Sequence, residues 1–573
     1  MIKKLSYLIL FFAYYFKENL KTLKDIVGYF YKFKIINYFL FITNRNFNPF
    51  KEKFYQKFIK TNSDFWKNKN FEIKQTNRKI LVTSLIHSHP AYYFGEAITG
   101  KYLSEFYKEE LIGFIIKGDL PSEVTLRSFG IKEFIYLDKG GFVSRIKLFL
   151  KAYEVISKFS TIDEFLKYNL SNIEFGKAVY ETFVRYTGEG TFEKLNFKFC
   201  YFLANAFHVH KTCEKIIKKY EITGVVQSET QFIPQAIIYQ FFLTNKIKVY
   251  ARHGAGKKNS IRIFKSENEA NTIRSEVSKK TFDHIYKNYK EIAIQKGERH
   301  FTERFSGKTG NDDSGSVGIG HKNKKNFSKR ELCSFFNWDE KKKIICIFGH
   351  CLIDGNFLSG WRIFRDNLTW LRKTLNHIKK IDNYNWLVKP HPMEVEYAKS
   401  KTDTIKEFNS IIGNVDNIKL VPKDISLNSL FKNLDLVVTC NGSAALECAS
   451  IGKKSLMAGR SDFSDIIFNK EIPKNEEEYF SKLNDIDKIT EVSQEQIDKS
   501  KIYNYIQWKL NLVSNPFYPD NFEPNLFIDV DKFWDDAYKT IKQYNYIDDY
   551  YKKMIFHQLE NDERHTSNLN ELK

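Results

Sequence analysis

Cysteine, proline and glycine are scarce in this 573-residue chain, and each scarcity excludes a class of protein. The seven cysteines are too few for a disulfide scaffold. None of them forms a C-x-x-C pair, so a structural zinc site is not indicated either. The 27 glycines and 11 prolines exclude collagen-like and proline-rich architectures. A reducing, cytoplasmic interior is the expected environment.

Long apolar runs are also missing near the N-terminus. The longest uncharged run of the first 78 residues, Leu5 to Phe16, has 12 residues. As a helix it would span about 18 Å, at ~1.5 Å per residue, against a hydrocarbon core of ~30 Å. No small-x-small cleavage site follows this run, only Lys17 and Glu18. We therefore expect neither a transmembrane helix nor a signal peptide.

The chain is instead rich in aromatic and basic residues. Hydrophobic residues make up 42% and aromatic residues 16%, which is enough for packed cores, and the net charge is +21. Residues 1–78 hold 16 Lys/Arg and 5 Asp/Glu, about half of that excess. Three interpretations are open: a helical segment packed on the rest, a surface that lies on the anionic inner face of a membrane, or a nucleic-acid site. Because no nucleic-acid module is recognisable, we expect peripheral contact with the inner membrane and no nucleic-acid partner.

Two α/β patterns follow, each with short strands alternating with helix-length segments. The first predicts strands at residues 79–84, 111–116, 134–137, 224–227 and 248–251, with helices at 92–109 and over most of 142–220. The second predicts strands at residues 343–348, 385–389, 417–421, 434–439 and 455–457, with helices at 361–380 and over most of 490–573.

A glycine-rich segment, residues 306–326, separates the two patterns. No strand precedes it and it lacks the phosphate-loop spacing, so we interpret it as a flexible loop. The sequence thus predicts two Rossmann-like lobes whose cleft lies at the carboxyl ends of the strands. The expected division is 1–78 as a basic aromatic segment, 79–305 as the N-terminal lobe, 306–330 as the linker, 331–490 as the C-terminal lobe and 491–573 as C-terminal helices.

The segment DLVVTCNGSAALECASIGKKSLM, residues 435–457, carries the strongest local signal. A strand leads into Asn441-Gly442-Ser443, and a helix opens at once. Such a helix start suits a phosphate, with Gly442 allowing close approach and Ser443 donating a hydrogen bond. Glu447, one turn later, could accept from ribose hydroxyls. An ordinary capped helix is the alternative.

Two further strand ends carry cationic or titratable residues. WLVKPHP, residues 386–392, places Lys389 and His391 where both could meet an anionic phosphate, unless His391 is simply a surface residue. GHCLIDGNF, residues 349–357, places His350 at the same edge, as a donor contact, an acid, or part of a structural pair with Asp354.

These three motifs, in this order, resemble the C-terminal half of bacterial capsule and surface-polysaccharide glycosyltransferases. The similarity is to the capsule Kdo transferases that use CMP-Kdo and, more distantly, to the teichoic-acid polymerases that use CDP-glycerol. The resemblance covers residues 330–470 best and implies a GT-B fold with the donor nucleotide on the C-terminal lobe and the acceptor on the N-terminal lobe. It places the family's histidine-proline motif on His391 and Pro392, and its phosphate-binding serine loop on Gly442 and Ser443.

The catalytic base is expected from the N-terminal lobe, at a strand end that faces the cleft. The candidate bases are His87, His89, Glu96 and Glu229, any of which could deprotonate an acceptor hydroxyl. Arg252 and His253, after another strand, are candidates for contact with the acceptor or the donor phosphate. The C-terminal residues would stabilise the leaving phosphate.

No metal or other cofactor is expected. The D-x-D pairs at 485–487 and 529–531 lie in charged segments away from the strand ends, which favours a solvated surface. The sequence therefore predicts a metal-independent GT-B glycosyltransferase that moves a sugar, from a CMP-linked donor in the favoured case, to a growing capsular or surface polysaccharide or a lipid-linked acceptor. The alternatives are transfer of a polyol-phosphate or phosphoramidate-type group from a CDP donor, and a non-catalytic scaffold of the polysaccharide machinery.

Overall fold

The computed structural model describes most of the chain beyond the N-terminal segment. The described residues are 6–13, 15–17, 53–69, 73, 77–85, 90–254, 256–306, 308, 324–357, 360–394, 400–422, 424–468, 472–520 and 530–573. The candidate bases His87 and His89 lie outside these ranges, as do most of the predicted linker and residues 18–52.

Twelve strands are present within the described residues. They are β1 Arg78–Ser84, β2 Glu110–Ile116, β3 Glu133–Leu137, β4 Glu221–Val226, β5 Lys248–His253, β6 Lys258–Phe264, β7 Ile344–Phe348, β8 Asn385–Lys389, β9 Ile418–Leu420, β10 Leu436–Thr439, β11 Lys454–Met457 and β12 Val513–Ser514. The ten strands expected from the sequence are all confirmed, whereas β6 and β12 had no counterpart among them.

Helices fill the connections between these strands. The helices of the first half are Lys53–Lys67, Pro90–Tyr107, Leu120–Ser128, Phe142–Ile156, Ile162–Leu166, Phe175–Thr187, Phe197–Lys219, Gln235–Thr244, Lys279–Asn288 and Lys290–Phe305. Those of the second half are Lys329–Phe336, Asn367–Ile378, Thr404–Ile411, Leu427–Asn433, Ala444–Ala449, Ser464–Ile467, Glu476–Asn484, Gln494–Tyr505, Val530–Gln543 and Tyr550–Glu560. The helix predicted from residue 361 begins only at Asn367, because the Asp366 side chain caps it by accepting from the Thr369 amide.

The first of two compact units comprises residues 1–180, 194–270 and 513–566. Its sheet has the order β12-β6-β5-β4-β1-β2-β3, in which β1 to β5 run parallel, β6 pairs antiparallel with β5, and β12 pairs antiparallel with β6. The central strand β1 is buried over its last five residues, as expected for a parallel strand covered by helices on both faces. The unit has the β-strand order of a Rossmann-like domain with two added antiparallel strands.

The second unit comprises residues 181–193, 271–512 and 567–573. Its sheet has five parallel strands in the order β11-β10-β7-β8-β9. Counted along the chain, this is the same order that the parallel strands of the first unit show. Both units are therefore Rossmann-like, and the expected α/β class with two such lobes is confirmed by their topology.

The unit boundaries differ from the predicted ones at three places, of which the shortest is residues 181–193, expected in the N-terminal lobe but found in the second unit. Residues 271–305, expected in the N-terminal lobe, pack in the second unit, where Phe282 and Phe301 join a core with Tyr503. The C-terminal segment 513–566 belongs instead to the first unit, where Trp534 lies 5.0 Å from Phe58 between ring centroids. Both segments contain amphipathic helices. Sequence periodicity shows that such a helix must bury its apolar face, but it does not show which core that face joins.

The described parts of the N-terminal segment pack on the first unit. In the helix Lys53–Lys67, Phe58 and Trp66 are buried, and in residues 6–17 Phe11 is buried 4.8 Å from the Phe149 ring. This is the arrangement expected of a helical segment packed on the rest of the protein. No helix among the residues that the structure describes is long and apolar enough to cross a membrane.

Candidate functional site

The topology of the second unit brings the three sequence motifs to one edge of its sheet. β7 lies between β10 and β8, and the three strands run parallel. Their carboxyl ends therefore lie at the same edge of the sheet. His350 follows β7, Lys389 ends β8, and Asn441 follows β10. The strand order reverses between β7 and β10, which is where open parallel sheets bind ligands.

His350 fastens the loop after β7 to the turn after β10. Its Nε2 lies 2.9 Å from the Thr439 hydroxyl and accepts from the backbone amides of Cys440, at 3.2 Å, and Asn441, at 3.4 Å. Desolvation, with His391 and Arg362 nearby, lowers the pKa of His350 to about 3. A neutral ring whose Nε2 accepts from a turn is a positioning group, so the geometry favours the structural role for His350 over that of an acid.

Gly442 is required by this contact. A Cβ at this position would lie 2.8 Å from the Thr439 Oγ1 and 3.2 Å from the His350 Cε1. The Gly442 amide also donates to the Thr439 Oγ1, at 3.2 Å. The glycine therefore lets the turn close on the histidine, a reason for its presence that does not depend on a ligand.

The exposed Ser443 contacts the buried Glu447, which also pairs with Arg304. The Ser443 hydroxyl donates to Glu447 Oε1 at 3.1 Å, and the Arg304 guanidinium contacts the same oxygen at 3.1 Å. Ser443 does not cap the helix Ala444–Ala449, which is only six residues long. Because so short a helix has a small dipole, the expected phosphate site here must depend mainly on side chains.

Lys389 and His391 are held in an environment that disfavours their charged forms. Desolvation lowers the pKa of Lys389, although Cys346 and Glu447 act in the opposite direction. Desolvation, and then the charge of Lys389, lowers the pKa of His391 to about 4. An anion bound near these two basic groups would favour their charged forms.

Glu394, which the sequence interpretation did not select, lies in the same loop. Its side chain is 8% exposed, and Oε1 accepts from the Thr404 amide and hydroxyl at 3.2 and 3.0 Å. Among the described residues no hydrogen bond reaches its other oxygen, Oε2. Burial raises the pKa of Glu394 to about 7. The sequence did contain a signal for Glu394, because it lies three residues after His391 in the loop that follows β8.

A pocket of about 250 Å³ opens beside the Ser443–Glu447 pair, wholly within the second unit. It is lined by Ile273, Ser275, Phe301, Arg304, Asn441, Ser443, Leu446, Glu447, Ser461, Asp462, Phe463, Asn504, Gln507 and Trp508. Arg304 and Trp508 stand on helical segments far along the chain from the motifs, so no local pattern could have identified them. The pocket connects the predicted serine loop to side chains that only the fold brings there.

The candidate bases of the first unit are used in internal hydrogen bonds. Glu96, buried in the helix Pro90–Tyr107, accepts from the Ser228 amide at 3.0 Å and so joins that helix to the end of β4. Glu229 accepts from the amides of Thr230 and Gln231 at 2.8 and 2.9 Å, closing its own turn. Each carboxylate stabilises the strand edge on which it stands, and a role as base stays a prediction.

Arg252 and His253 are likewise buried at the end of β5. The Arg252 guanidinium donates to the Gly254 carbonyl at 2.9 Å, and the His253 ring lies 5.9 Å from the His565 ring. These two residues, expected after the strand, form its last two positions, and the contacts described here serve the packing of the first unit. Their contact with an acceptor or a donor phosphate stays a prediction.

Comparison with known proteins gives similarities of structure only. No protein-family model matches the chain, and no curated protein matches it in sequence. The solved structures similar to it include KpsC of Thermosulfurimonas dismutans, a beta Kdo 2,4 transferase, with 10% identity over 55% of this chain and 87% of that chain and a TM-score of 0.33. The wall teichoic acid polymerase TagF has 10% identity over 86% and 99% and a TM-score of 0.20.

A third similar structure is the UDP-GlcNAc 2-epimerase of Neisseria meningitidis bound to UDP-GlcNAc, with 12% identity over 74% of this chain and 97% of that chain and a TM-score of 0.19. The first two structures belong to the kinds of protein that the sequence motifs resemble. At these scores the similarities do not define a function. The class is defined by the chain's own two sheets, which make it an α/β protein with two Rossmann-like units.

Proposed function

We propose that this protein is a GT-B-type glycosyltransferase that moves a sugar from a nucleotide-activated donor, CMP-linked in the favoured case, to a growing capsular or surface polysaccharide. The second unit binds the donor and the first unit supplies the acceptor side and the base. The reaction needs no metal, because cationic side chains stabilise the leaving phosphate.

The observation that carries this proposal is the convergence of three motifs at the switch point of the second sheet. Lys389, His391 and the Asn441–Ser443 turn meet there beside a pocket that holds Glu447. Cationic groups next to a carboxylate-lined pocket match the two halves of a nucleotide, phosphate and nucleoside.

The lowered pKa values fit an anionic ligand. In the free protein His391 is neutral near pH 7, because its pKa lies at about 4. A phosphate at this loop brings negative charge next to the imidazole and so favours its protonated form. Donor binding is then accompanied by proton uptake, and the cationic pair forms when the leaving phosphate needs it.

The protein acts at the cytoplasmic face of the inner membrane as a peripheral protein. Residues 6–17 support this part of the proposal, since Ile9 is 62% and Phe16 59% exposed on the side away from Phe11. Exposed apolar side chains within a segment of strong positive charge are typical of a surface that contacts anionic lipid.

Nucleotide binding by the full chain tests the proposal. Isothermal titration with CMP, CDP, UDP and GDP should reveal one preferred nucleotide. His391→Ala removes a charge-assisted hydrogen bond and should weaken its binding roughly 10- to 100-fold. Ser443→Ala removes the hydroxyl that donates to Glu447 and should weaken nucleotide binding roughly 2- to 10-fold.

His284→Ala and Ser334→Ala, at exposed positions of the same unit, are the matched controls and should leave the affinity unchanged. Turnover of CMP-sugars should fall with the same variants. Equal affinity in wild type and in both site variants would refute the placement of the donor, and a wild-type protein that binds no nucleotide would refute the proposed function itself.

A further inference from the structure

Two helical segments of the first unit lie side by side. Residues 6–13 and 15–17 are helical, and they pack on the helix Phe142–Ile156. Three ring pairs connect them, with centroid distances as follows: Tyr7 with Tyr153 at 5.8 Å, Phe11 with Phe149 at 4.8 Å, and Tyr15 with Phe142 at 5.3 Å. Because the residue numbers rise along one segment and fall along the other, the two run antiparallel. The end of the first segment, at Phe16 and Lys17, therefore lies beside the start of the helix.

Apolar side chains are exposed at this shared end. Phe16 is 59%, Phe142 38% and Val143 64% exposed, and we call these three residues the apolar tip. The Tyr15 ring lies 6.2 Å from the Phe16 ring and 5.3 Å from the Phe142 ring, so the tip is one patch. Single apolar side chains on a surface are ordinary, whereas a cluster at one place indicates a contact surface.

Basic side chains border the tip. Val143 and Lys147 are four residues apart and therefore share a face of the helix. Lys17 directly follows Phe16, Lys139 precedes the helix, and all three lysines are exposed. The first turn of this helix, which the structure describes in full, holds no acidic residue. Lysine stems can lie along an apolar surface while their ammonium groups reach anionic headgroups.

Asp138 is the acidic residue just before this helix, and its carboxylate is engaged in its own loop. Its Oδ1 accepts from the Gly140 amide at 2.9 Å and lies 3.4 Å from the His208 Nε2. The border of the tip is therefore positive overall, with three lysines against one engaged carboxylate. A partner that is both apolar and anionic complements it, and the boundary between headgroups and acyl chains of an anionic bilayer has both properties.

The tip lies at the carboxyl edge of the first sheet. β3 ends at Leu137, and the helix begins five residues later, at Phe142. Because β1 to β5 run parallel, their carboxyl ends all lie at that edge. β4, which is followed by Glu229, is three strands from β3 in the sheet, or about 14 Å at ~4.8 Å per strand.

We propose that the apolar tip inserts into the anionic face of a bilayer and so turns the carboxyl edge of the first sheet toward the lipid. This inference rests on the proposed function, which places the protein at the inner membrane. It adds the start of the helix Phe142–Ile156 as a second contact besides residues 6–17, and it assigns which edge of the first unit faces the bilayer. The candidate acceptor edge then lies within reach of molecules anchored in the membrane.

Vesicle binding by the full chain tests the tip. On vesicles of phosphatidylglycerol and phosphatidylethanolamine, Val143→Ser should weaken binding about 3- to 10-fold, because less apolar surface enters the interface. Val143→Trp should strengthen binding about 3-fold or more, because tryptophan favours the interface. Ile547→Ser and Ile547→Trp, at an exposed position elsewhere in the same unit, are the matched controls and should bind as wild type does. Melting temperatures equal to that of wild type confirm that these surface variants are folded.

The basic border has a control near the same helix. Lys147→Gln should weaken binding to these vesicles about 3- to 5-fold and leave binding to phosphatidylcholine vesicles unchanged. Lys158, exposed just beyond the other end of the helix, is 15 residues from Val143, or about 22 Å at ~1.5 Å per residue. This distance exceeds the ~8–10 Å over which a charge acts through salt solution, so Lys158→Gln should change binding by less than about 1.5-fold.

The orientation is tested with an environment-sensitive dye on an introduced cysteine. Val143→Cys and Lys132→Cys place the dye near opposite ends of β3, since Lys132 is exposed just before the strand begins at Glu133. On vesicles that carry lipid-embedded quenchers, the dye at position 143 should be quenched and the dye at position 132 should not. Dye-treated wild type gives the background from the native cysteines.

Equal vesicle binding of wild type and both Val143 variants, or equal quenching of the two dyes, overturns the proposal. A lipid-free dimer that Val143→Ser dissociates in sedimentation velocity also overturns it, since the tip then covers a second copy of the chain. The proposed function is judged separately, by CMP titration without vesicles and by vesicle binding of the double change Ile9→Ser and Phe16→Ser. If both of these give the expected results while the Val143 variants bind as wild type does, the proposed function survives and the tip does not. If wild type binds vesicles through the tip but binds no nucleotide, the proposed function falls and the tip stands.

Discussion

The two units share a strand order but use the carboxyl edges of their sheets differently. At the edge of the first unit, Glu96 and Glu229 accept backbone amides and Arg252 donates to a backbone carbonyl. At the edge of the second unit, Lys389 and His391 are held where burial lowers their pKa values. The side chains named at the first edge bond to the backbone, whereas burial at the second edge disfavours the charged forms of two basic side chains.

This difference shows that topology alone does not make a site. A Rossmann-like order carries polar residues to the same edge in both units. The second unit differs because the residues at its edge, Lys389 and His391, are basic and lie where burial disfavours their charged forms. Partly buried basic groups whose charged forms are disfavoured cost stability, and such a cost is typical of functional sites.

The largest expected effect is on the free energy of unfolding, at a contact between two helices of the second unit. Gly297 lies where the helix Lys290–Phe305 crosses the helix Gln494–Tyr505, and a Cβ there would lie 2.0 Å from the Lys501 carbonyl oxygen. Gly297→Ala must push the two helices apart and should lower the free energy of unfolding by about 3 kcal/mol. Urea denaturation of the full chain measures this, and nucleotide affinity should fall with it, because Arg304 stands on the first helix.

Gly141→Ala in the first unit is the matched control. This glycine precedes the helix Phe142–Ile156 with an ordinary extended backbone, and a Cβ would meet nothing within 4 Å. Its cost should stay within about 0.5 kcal/mol. Equal stability of the two variants would show that the helix contact at Gly297 is looser than described.

Much of the fold was predictable from the sequence because the central strands are apolar runs that end in polar loops. β6 was not, since Asn259 and Arg262 lie within it and are buried. Burial of its polar groups depends on distant partners: Tyr551 donates to Asn259, and Gln558 donates to the Ile261 carbonyl at 2.8 Å. The sequence of β6 itself does not indicate these hydrogen-bond donors, which lie some 300 residues further along the chain.

The candidate site likewise contains residues that were predictable from the sequence and residues that were not. The positions of Lys389, His391 and Ser443 at the sheet edge were predictable, because Lys389 ends a strand and the other two follow strands within recognisable motifs. Arg304 and Trp508 were not, since a helical arginine or tryptophan has no local mark of a ligand. Their contribution depends on which core each helix joins, and the predicted boundaries placed residues 271–305 with the other lobe.

Glu394 gives the next effect, a pH dependence of stability in the second unit. Burial raises its pKa from 4.5 to about 7, so the folded state keeps a proton that the unfolded state loses. The stabilisation is complete below about pH 4.5 and is lost as the pH rises through about 7. Relative to Glu394→Gln, wild type should lose about 2–3 kcal/mol of unfolding free energy over that range. Urea denaturation at pH 4.5, 6 and 8 measures it.

Glu407, one turn along the helix that begins at Thr404, should behave in the opposite way. Burial acts to raise its pKa, but hydrogen bonds from Arg372, at 2.7 and 2.9 Å, and from Thr402 lower it overall. The advantage of wild type over Glu407→Gln is therefore present above about pH 4.5 and lost as the pH falls. Parallel pH profiles for the two variants would contradict the placement of Glu394.

The smallest expected effect is on vesicle binding by residues 6–17 of the first unit. Ile9 and Phe16 are exposed, so the double change Ile9→Ser and Phe16→Ser should alter the unfolding free energy by less than about 0.5 kcal/mol. Its binding to vesicles rich in phosphatidylglycerol should fall about 3- to 10-fold, because less apolar surface enters the interface. Ile547→Ser, at a residue 75% exposed elsewhere in the same unit, is the control and should bind vesicles as wild type does. If the double variant and the control bind equally, residues 6–17 do not contact lipid, and the basic excess of the first 78 residues must act through another part of that segment.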